Sequence, residues 1–161
     1  MHESSSIDPN QPKPALYAEI ARQVRALTEG ERDLIANLAN TAALLYHSLP
    51  ELNWAGFYLL KNGELVVGPF QGKPACVRIA LGKGVCGTAA ARRATLIVAN
   101  VHEFDGHIAC DTASNSEIVV PIVRGSELVG VLDIDSPKFA RFDAQDQAGL
   151  EKVVAALLKA L

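Results

Sequence analysis

The sequence predicts an α+β domain in which a central antiparallel sheet of about six strands carries helices from both ends of the chain on one face. Three observations lead there. Apolar residues recur every three or four positions near both termini, and in the middle of the chain the period changes to two. The strand segments follow one another as hairpins, without the long intervening helices that a parallel sheet needs. At 161 residues the length suits one domain, and 49% hydrophobic with 20% charged residues is the composition of a compact soluble chain.

Residues 1–14, rich in Ser, Pro, Asn and Gln, read as a disordered tail, because so little apolar content cannot offset the entropy of ordering. A single domain is expected over 15–161. Residues 15–27 form a helix with Leu16, Ile20, Val24 and Leu27 on one stripe. Thr28-Glu29-Gly30-Glu31 has the spacing of a capping box for a second helix, whose Leu34, Leu38, Ala42, Leu45 and Leu49 run down to Pro50. Residues 53–60 and 64–70 form a hairpin around Lys61-Asn62-Gly63, since Asn-Gly supplies the positive φ of such turns. A short strand at 77–81 precedes a glycine-rich turn and small Ala-rich helix at 82–93, and 95–98 is another strand. The polar loop at 100–116 runs about 17 residues, longer than most structureless connections, and such loops usually serve function. Residues 117–123 and 127–135 form a second hairpin around Arg124-Gly125-Ser126, apolar on both faces and therefore central in the sheet. Asp143 caps a last helix with Leu150, Val153, Val154, Leu157, Leu158 and Leu161 on its core stripe.

With 15 Lys+Arg against 18 Asp+Glu the net charge is −3, so no basic field exists to hold nucleic acid or an anionic membrane. The N-terminus has no apolar targeting region and no stretch approaches roughly 18 uninterrupted apolar residues, which predicts a cytoplasmic protein. Three cysteines, Cys76, Cys86 and Cys110, are too few and too odd for a secreted disulfide scaffold. In a reducing compartment they are buried thiols, metal ligands or chemistry.

Gly82-Lys83-Gly84-Val85-Cys86-Gly87 spells the dinucleotide-binding fingerprint, but the hairpins that surround it leave no room for further βα units. It reads as a turn into a helix N-terminus. The cysteine spacing, with no C-x-x-C and no His at a matching interval, argues against a structural zinc site, and no metal is expected. Cys110, in the polar loop, points to function; for Cys86, packing and function weigh equally. His107 reads as a surface residue, with support of a Cys110 thiolate as the alternative. Asp133 and Asp135 share one strand face. Asp135 alone also suits a turn, and a Mg²⁺ or Ca²⁺ site would need more oxygen ligands than surround the pair. Glu117 joins their face if the turn holds an odd number of residues, for example three with a glycine bulge; an even loop turns it to the other side. Trp54, Gly56 and Tyr58 alternate onto one face of the first strand, where they are either core or, if that face meets the acidic one, a wall for a methyl or thioether.

The motifs Gly106-His107-Ile108-Ala109-Cys110-Asp111, Ser114-Asn115-Ser116-Glu117-Ile118-Val119-Val120-Pro121 and Gly130-Val131-Leu132-Asp133-Ile134-Asp135-Ser136-Pro137, with cysteine steps of 10 and 24, resemble the free methionine-(R)-sulfoxide reductases, which are GAF-domain enzymes. The resemblance spans 15–161. It implies a GAF-like fold with a loop-covered ligand pocket on the sheet face opposite the helices, and reduction of free L-methionine (R)-S-oxide to methionine under oxidative stress. It further implies Cys110 as the nucleophile, Cys76 as the resolving cysteine that forms a disulfide with it, and Cys86 as an auxiliary disulfide partner. By the same resemblance Glu117, Asp133 and Asp135 hold the substrate ammonium and assist at the sulfoxide oxygen, while Trp54 and Tyr58 receive the terminal methyl. Thioredoxin is the implied reductant, no cofactor is implied, and the implied assembly is a homodimer. The residues make physical sense of these roles: carboxylates select a free amino acid through charge-assisted hydrogen bonds to its ammonium. Crowding raises the pKa of at least one of them, which can then protonate the sulfoxide oxygen. The competing readings are a GAF module that senses a small molecule without turnover, and a thiol redox switch without a substrate pocket.

Overall fold

The computed structural model describes residues 6–161, so the first five residues of the expected tail lie outside the described residues. Residues 6–12 form no helix or strand, yet Ile7 packs against the core. Helix α1 (Lys13–Thr28) begins two residues before the expected start. Pro12 is its N-cap residue and Pro14 falls in its first turn, where the missing N–H costs nothing.

The expected capping box does not open the second helix. Thr28 is the last residue of α1, and its hydroxyl donates to Val24 O at 2.9 Å. Gly30, at φ 75°, turns the chain away, and α2 (Leu34–Ser48) is capped instead by Asp33, which accepts from Ala36 N at 2.8 Å. The Thr-x-x-Glu spacing falls on a helix exit, where Glu31 accepts the amides of Arg32 and Asp33.

The remaining elements are β1 (Trp54–Lys61), β2 (Glu64–Gly72), β3 (Arg78–Ala80), α3 (Gly84–Arg92), β4 (Leu96–Val98), a 3₁₀ turn (Val101–Glu103), β5 (Ser116–Arg124), β6 (Glu127–Ser136) and α4 (Ala144–Leu158). The six strands form one sheet in the order β3-β2-β1-β6-β5-β4, with every pair antiparallel. Asn62 and Gly63, at φ 52° and 82°, make the two-residue turn between β1 and β2.

Alternation along the strands gives the sheet two apolar faces. Ala55, Phe57, Leu59, Ile118, Val120, Ile122, Leu132 and Ile134 meet α1, α2 and α4 on one face. Trp54, Tyr58, Val119 and Val131 face α3 on the other. Among the described residues no helix is long and apolar enough to cross a membrane.

The two terminal helices are locked together by a buried polar cluster. Asp146, 0% exposed, accepts from Tyr17 Oη at 2.7 Å, from Lys13 Nζ at 2.7 Å and from Arg141 Nη1 at 3.4 Å. It also closes a reciprocal capping box with Asp143, whose carboxyl is held down at about 2 chiefly by its bond from Lys13. Burial and the Asp146 charge push the Tyr17 phenol up. Gly149 is required beside this cluster, because a Cβ there would lie 2.1 Å from the Tyr17 ring.

Candidate active site

Strand register gathers the predicted site residues on the face opposite the three large helices. Trp54 pairs with Asp135, Gly56 with Asp133 and Tyr58 with Val131, while Glu117 pairs with Asp135 and Val119 with Asp133. Directly paired residues point to the same side of an antiparallel sheet. Trp54, Tyr58, Glu117, Asp133 and Asp135 therefore share one pocket with Cys76's partner Cys110 and with Cys86.

The route by which Glu117 arrives there differs from the expected three-residue turn. The β5–β6 loop is Gly125-Ser126, with Arg124 opposite Glu127. That even loop by itself would set Glu117 against Ile134, on the helix-covered face. A bulge intervenes: Val123 pairs with Leu128 and Ile122 with Gly130, so Val129 is the extra residue and the register slips by one.

The pocket wall is aromatic. Trp54 lies 5.9 Å from Tyr58 and stacks on Phe70 at 5.1 Å. Gly56 makes room for that stack, because a Cβ on it would sit 2.3 Å from the Cβ of Phe70. The polar ends of both predicted aromatics hold the neighbouring segment: Trp54 Nε1 donates to Lys73 O at 3.1 Å and Tyr58 Oη to Cys76 O at 3.0 Å. A disulfide joins Cys76 to Cys110 with their Cα atoms 5.6 Å apart, tying this segment to the long loop. The loop is pinned beside it, since Asn53 Nδ2 donates to Asp111 Oδ2 at 3.0 Å and to Ser114 Oγ at 2.9 Å.

The model of the GAF domain family matches residues 14–161. The chain belongs to the GAF domain family. Its similarity extends beyond the fold. It is 57% identical over 149 residues to the free methionine-R-sulfoxide reductase of Escherichia coli (strain K12), covering 92% of this chain and 90% of that relative. The solved structure of fRMsr of Staphylococcus aureus in complex with substrate is 50% identical, with a TM-score of 0.88 over 98% of this chain and 99% of that one. The free methionine-R-sulfoxide reductase from Neisseria meningitidis in complex with its substrate is 42% identical, with a TM-score of 0.89 over 99% and 93%. The resemblance read from the motifs is thus borne out, as is the GAF fold with its six-stranded antiparallel sheet.

The electrostatics of this GAF pocket are set by burial. Glu117, Asp133 and Asp135 are all pushed above the ordinary carboxylate range, first by loss of water; Asp133 adds to the rise at Glu117 and Asp135. Among the described residues no Lys or Arg forms an ion pair with any of the three. Cys86 is a free, buried thiol that faces Glu117 Oε1 at 3.8 Å, and burial followed by the Asp133 charge drives its pKa well up. A thiol held neutral is a poor nucleophile.

His107 is not on the surface as expected. Its side chain is 15% exposed and its Nε2 lies 4.0 Å from Glu117 Oε2, because the loop folds inward over the carboxyls. Burial lowers its pKa, so it faces Glu117 as a neutral imidazole. Phe70 and Asn53 were not legible as site residues. Phe70 reaches Trp54 only through the β1–β2 register shift near Gly56, and Asn53 acts across 58 residues of chain.

Proposed function

We propose that this protein reduces free L-methionine (R)-S-oxide to L-methionine, with Cys110 as nucleophile, Cys76 as resolving cysteine and thioredoxin as the reductant. The reading is carried by one observation: the Cys76–Cys110 bridge borders a pocket with a floor of three buried carboxyls and an aromatic wall. Free methionine-R-sulfoxide, the compound in the name of the Neisseria meningitidis relative, has the matching parts, an ammonium, a sulfoxide and a methyl.

In this reading the ammonium is received by the carboxyl floor at Glu117, Asp133 and Asp135, and the methyl lies against Trp54 and Tyr58 near ring edges. A peptide-bound methionine sulfoxide has no ammonium, so the floor would be buried without a partner. Burial, with the neighbouring carboxyl charge, favours the protonated form of this group; one carboxyl delivers its proton to the sulfoxide oxygen as Cys110 sulfur attacks the sulfoxide sulfur, and the Cys110 thiol proton replaces it on the carboxyl. The oxygen passes to Cys110, which becomes a sulfenic acid, and methionine leaves. The Cys76 thiol then displaces that oxygen as water and forms the disulfide. A dithiol reductant restores both thiols by exchange, and no resident cofactor enters. The raised pKa of Cys86 supports giving the resolving role to Cys76.

The direct test is consumption of both sulfoxide epimers, free and peptide-bound, in a thioredoxin-coupled assay. Loss of the free R epimer alone is expected; turnover of the peptide-bound form, or none of the free R epimer, overturns the reading. Cys76→Ser should release about one equivalent of methionine per protein and then stall, as the sulfenic acid has no resolving thiol. Full steady-state turnover by this variant would assign resolution to Cys86. Glu117→Gln should raise KM for the free amino acid roughly 10- to 150-fold, the loss of one charge-assisted hydrogen bond. An unchanged KM removes Glu117 from ammonium binding.

A further inference from the structure

We propose that Asn53 is a positioning residue for the nucleophile: it brackets the Cys110 loop to the strand that carries Asp135, and so sets where Cys110 stands over the carboxyl floor. This role rests on the function proposed above and deepens it. Asn53 immediately precedes β1, and its backbone and side chain hold two different parts of the site. Its backbone N–H donates to Asp135 O at 3.0 Å. Its Nδ2 donates to Asp111 Oδ2 at 3.0 Å, on the residue that follows Cys110, and to Ser114 Oγ at 2.9 Å. Among the described residues, no other hydrogen bond from outside the loop reaches residues 108–113. Cys110 can attack only when its bridge to Cys76 is open, and the Asn53 bond is then the hydrogen bond that still ties its neighbour to the sheet.

The chemistry of the pair fixes which group stands where. Asn53 Nδ2 gives both of its N–H groups to the loop, while Asn53 Oδ1 is buried without a hydrogen-bond partner. Buried polar atoms are nearly always satisfied, so the amide is oriented by the two acceptors of the loop at the expense of its own oxygen. Asp111 in turn only accepts. Its Oδ1 takes the Ala113 N–H at 2.9 Å, and that bond, followed by the one from Asn53, holds its carboxyl below the ordinary range. A donor is therefore required at 53 and an acceptor at 111. Aspartate at both positions sets two carboxylates face to face. Asparagine at both, with the oxygen at 111 held by the Ala113 N–H, sets two donors face to face. Exchanging the two residue types restores the bond with donor and acceptor reversed.

The test is single-turnover release of methionine by the reduced full chain at increasing sulfoxide concentration, which separates the limiting rate from the half-saturating concentration. Asn53→Asp and Asp111→Asn are each expected to lower the limiting rate about 10- to 100-fold, the cost of displacing an attacking atom by about 1 Å, with half-saturation moved less than about threefold. The double substitution should bring the rate back to within about threefold of the unmodified chain. Asp111 lies in a loop and is only partly buried, so its variant keeps the bracket testable if Asn53→Asp fails to fold. Unchanged rates in the single variants, a loss seen in half-saturation and not in rate, or a double variant no faster than either single overturns the role. If the unmodified chain releases no methionine, the function proposed above fails, and the bracket is judged without sulfoxide by equilibrating the Cys76–Cys110 bridge with glutathione. A loosened loop should make the bridge at least about tenfold easier to reduce in Asn53→Asp, and an unchanged equilibrium overturns the bracket.

Discussion

Cys110→Ser is expected to lose turnover of free methionine-(R)-sulfoxide by on the order of 10³-fold or more, since the nucleophile acts as one unit with its proton donor. A serine hydroxyl is far less acidic than a thiol and cannot carry the oxygen as a sulfenic acid, so the oxygen-transfer step has no acceptor. The wall of Trp54 and Tyr58 and the floor of Glu117, Asp133 and Asp135 are untouched by the change. Binding of the sulfoxide, read by calorimetry, should therefore persist while methionine release, read by chromatography in single turnover, disappears. Retained turnover would sink the assignment of Cys110. Loss of binding together with turnover would mean that the thiol shapes the pocket and does not only react in it.

The largest effect on stability is expected at the opposite end of the molecule. Asp146→Ala removes the acceptor shared by Tyr17, Lys13 and Arg141; the Tyr17 hydroxyl is left without it in the core, while Lys13 keeps Asp143 and Arg141 keeps Pro50 O. Leaving a buried donor without its acceptor costs about 1–3 kcal/mol, and the two cations lose part of their pairing as well. The reciprocal cap of α4 is lost as well, adding about 1 kcal/mol. Chemical denaturation should show a lower midpoint with an unchanged slope. A loss under about 1 kcal/mol would show that water replaces the carboxylate, and that the helix pair α1–α4 is held by apolar packing alone. Asp146→Asn, which keeps the shape and some hydrogen bonds but not the charge, should fall between the two.

Most elements were legible because each carries its period locally. The change from a spacing of three or four to a spacing of two at Asn53 marks the passage from α2 to β1, and Asn62-Gly63 marks the first hairpin. Asp143 was readable as the cap of α4 because capping is a contact within one turn. The same local logic misplaced the start of α2, since Thr28-x-x-Glu31 fits a helix exit as well as an entry.

The sequence by itself determined the order of elements, the division of each strand into two faces, and the residue types for thiol and acid chemistry. Only the tertiary structure decided which faces meet. The parity of Glu117 turns on the bulge at Val129, which no local pattern marks, and without it the third carboxyl would face the helices. His107 turns inward because Asn53, far away in the chain, pins Asp111 and Ser114. The physical reason is the range of the interactions. Periodicity, capping and turn preference act over a few residues, whereas strand register, a disulfide and the burial that raises the pocket carboxyls arise only when distant segments pack.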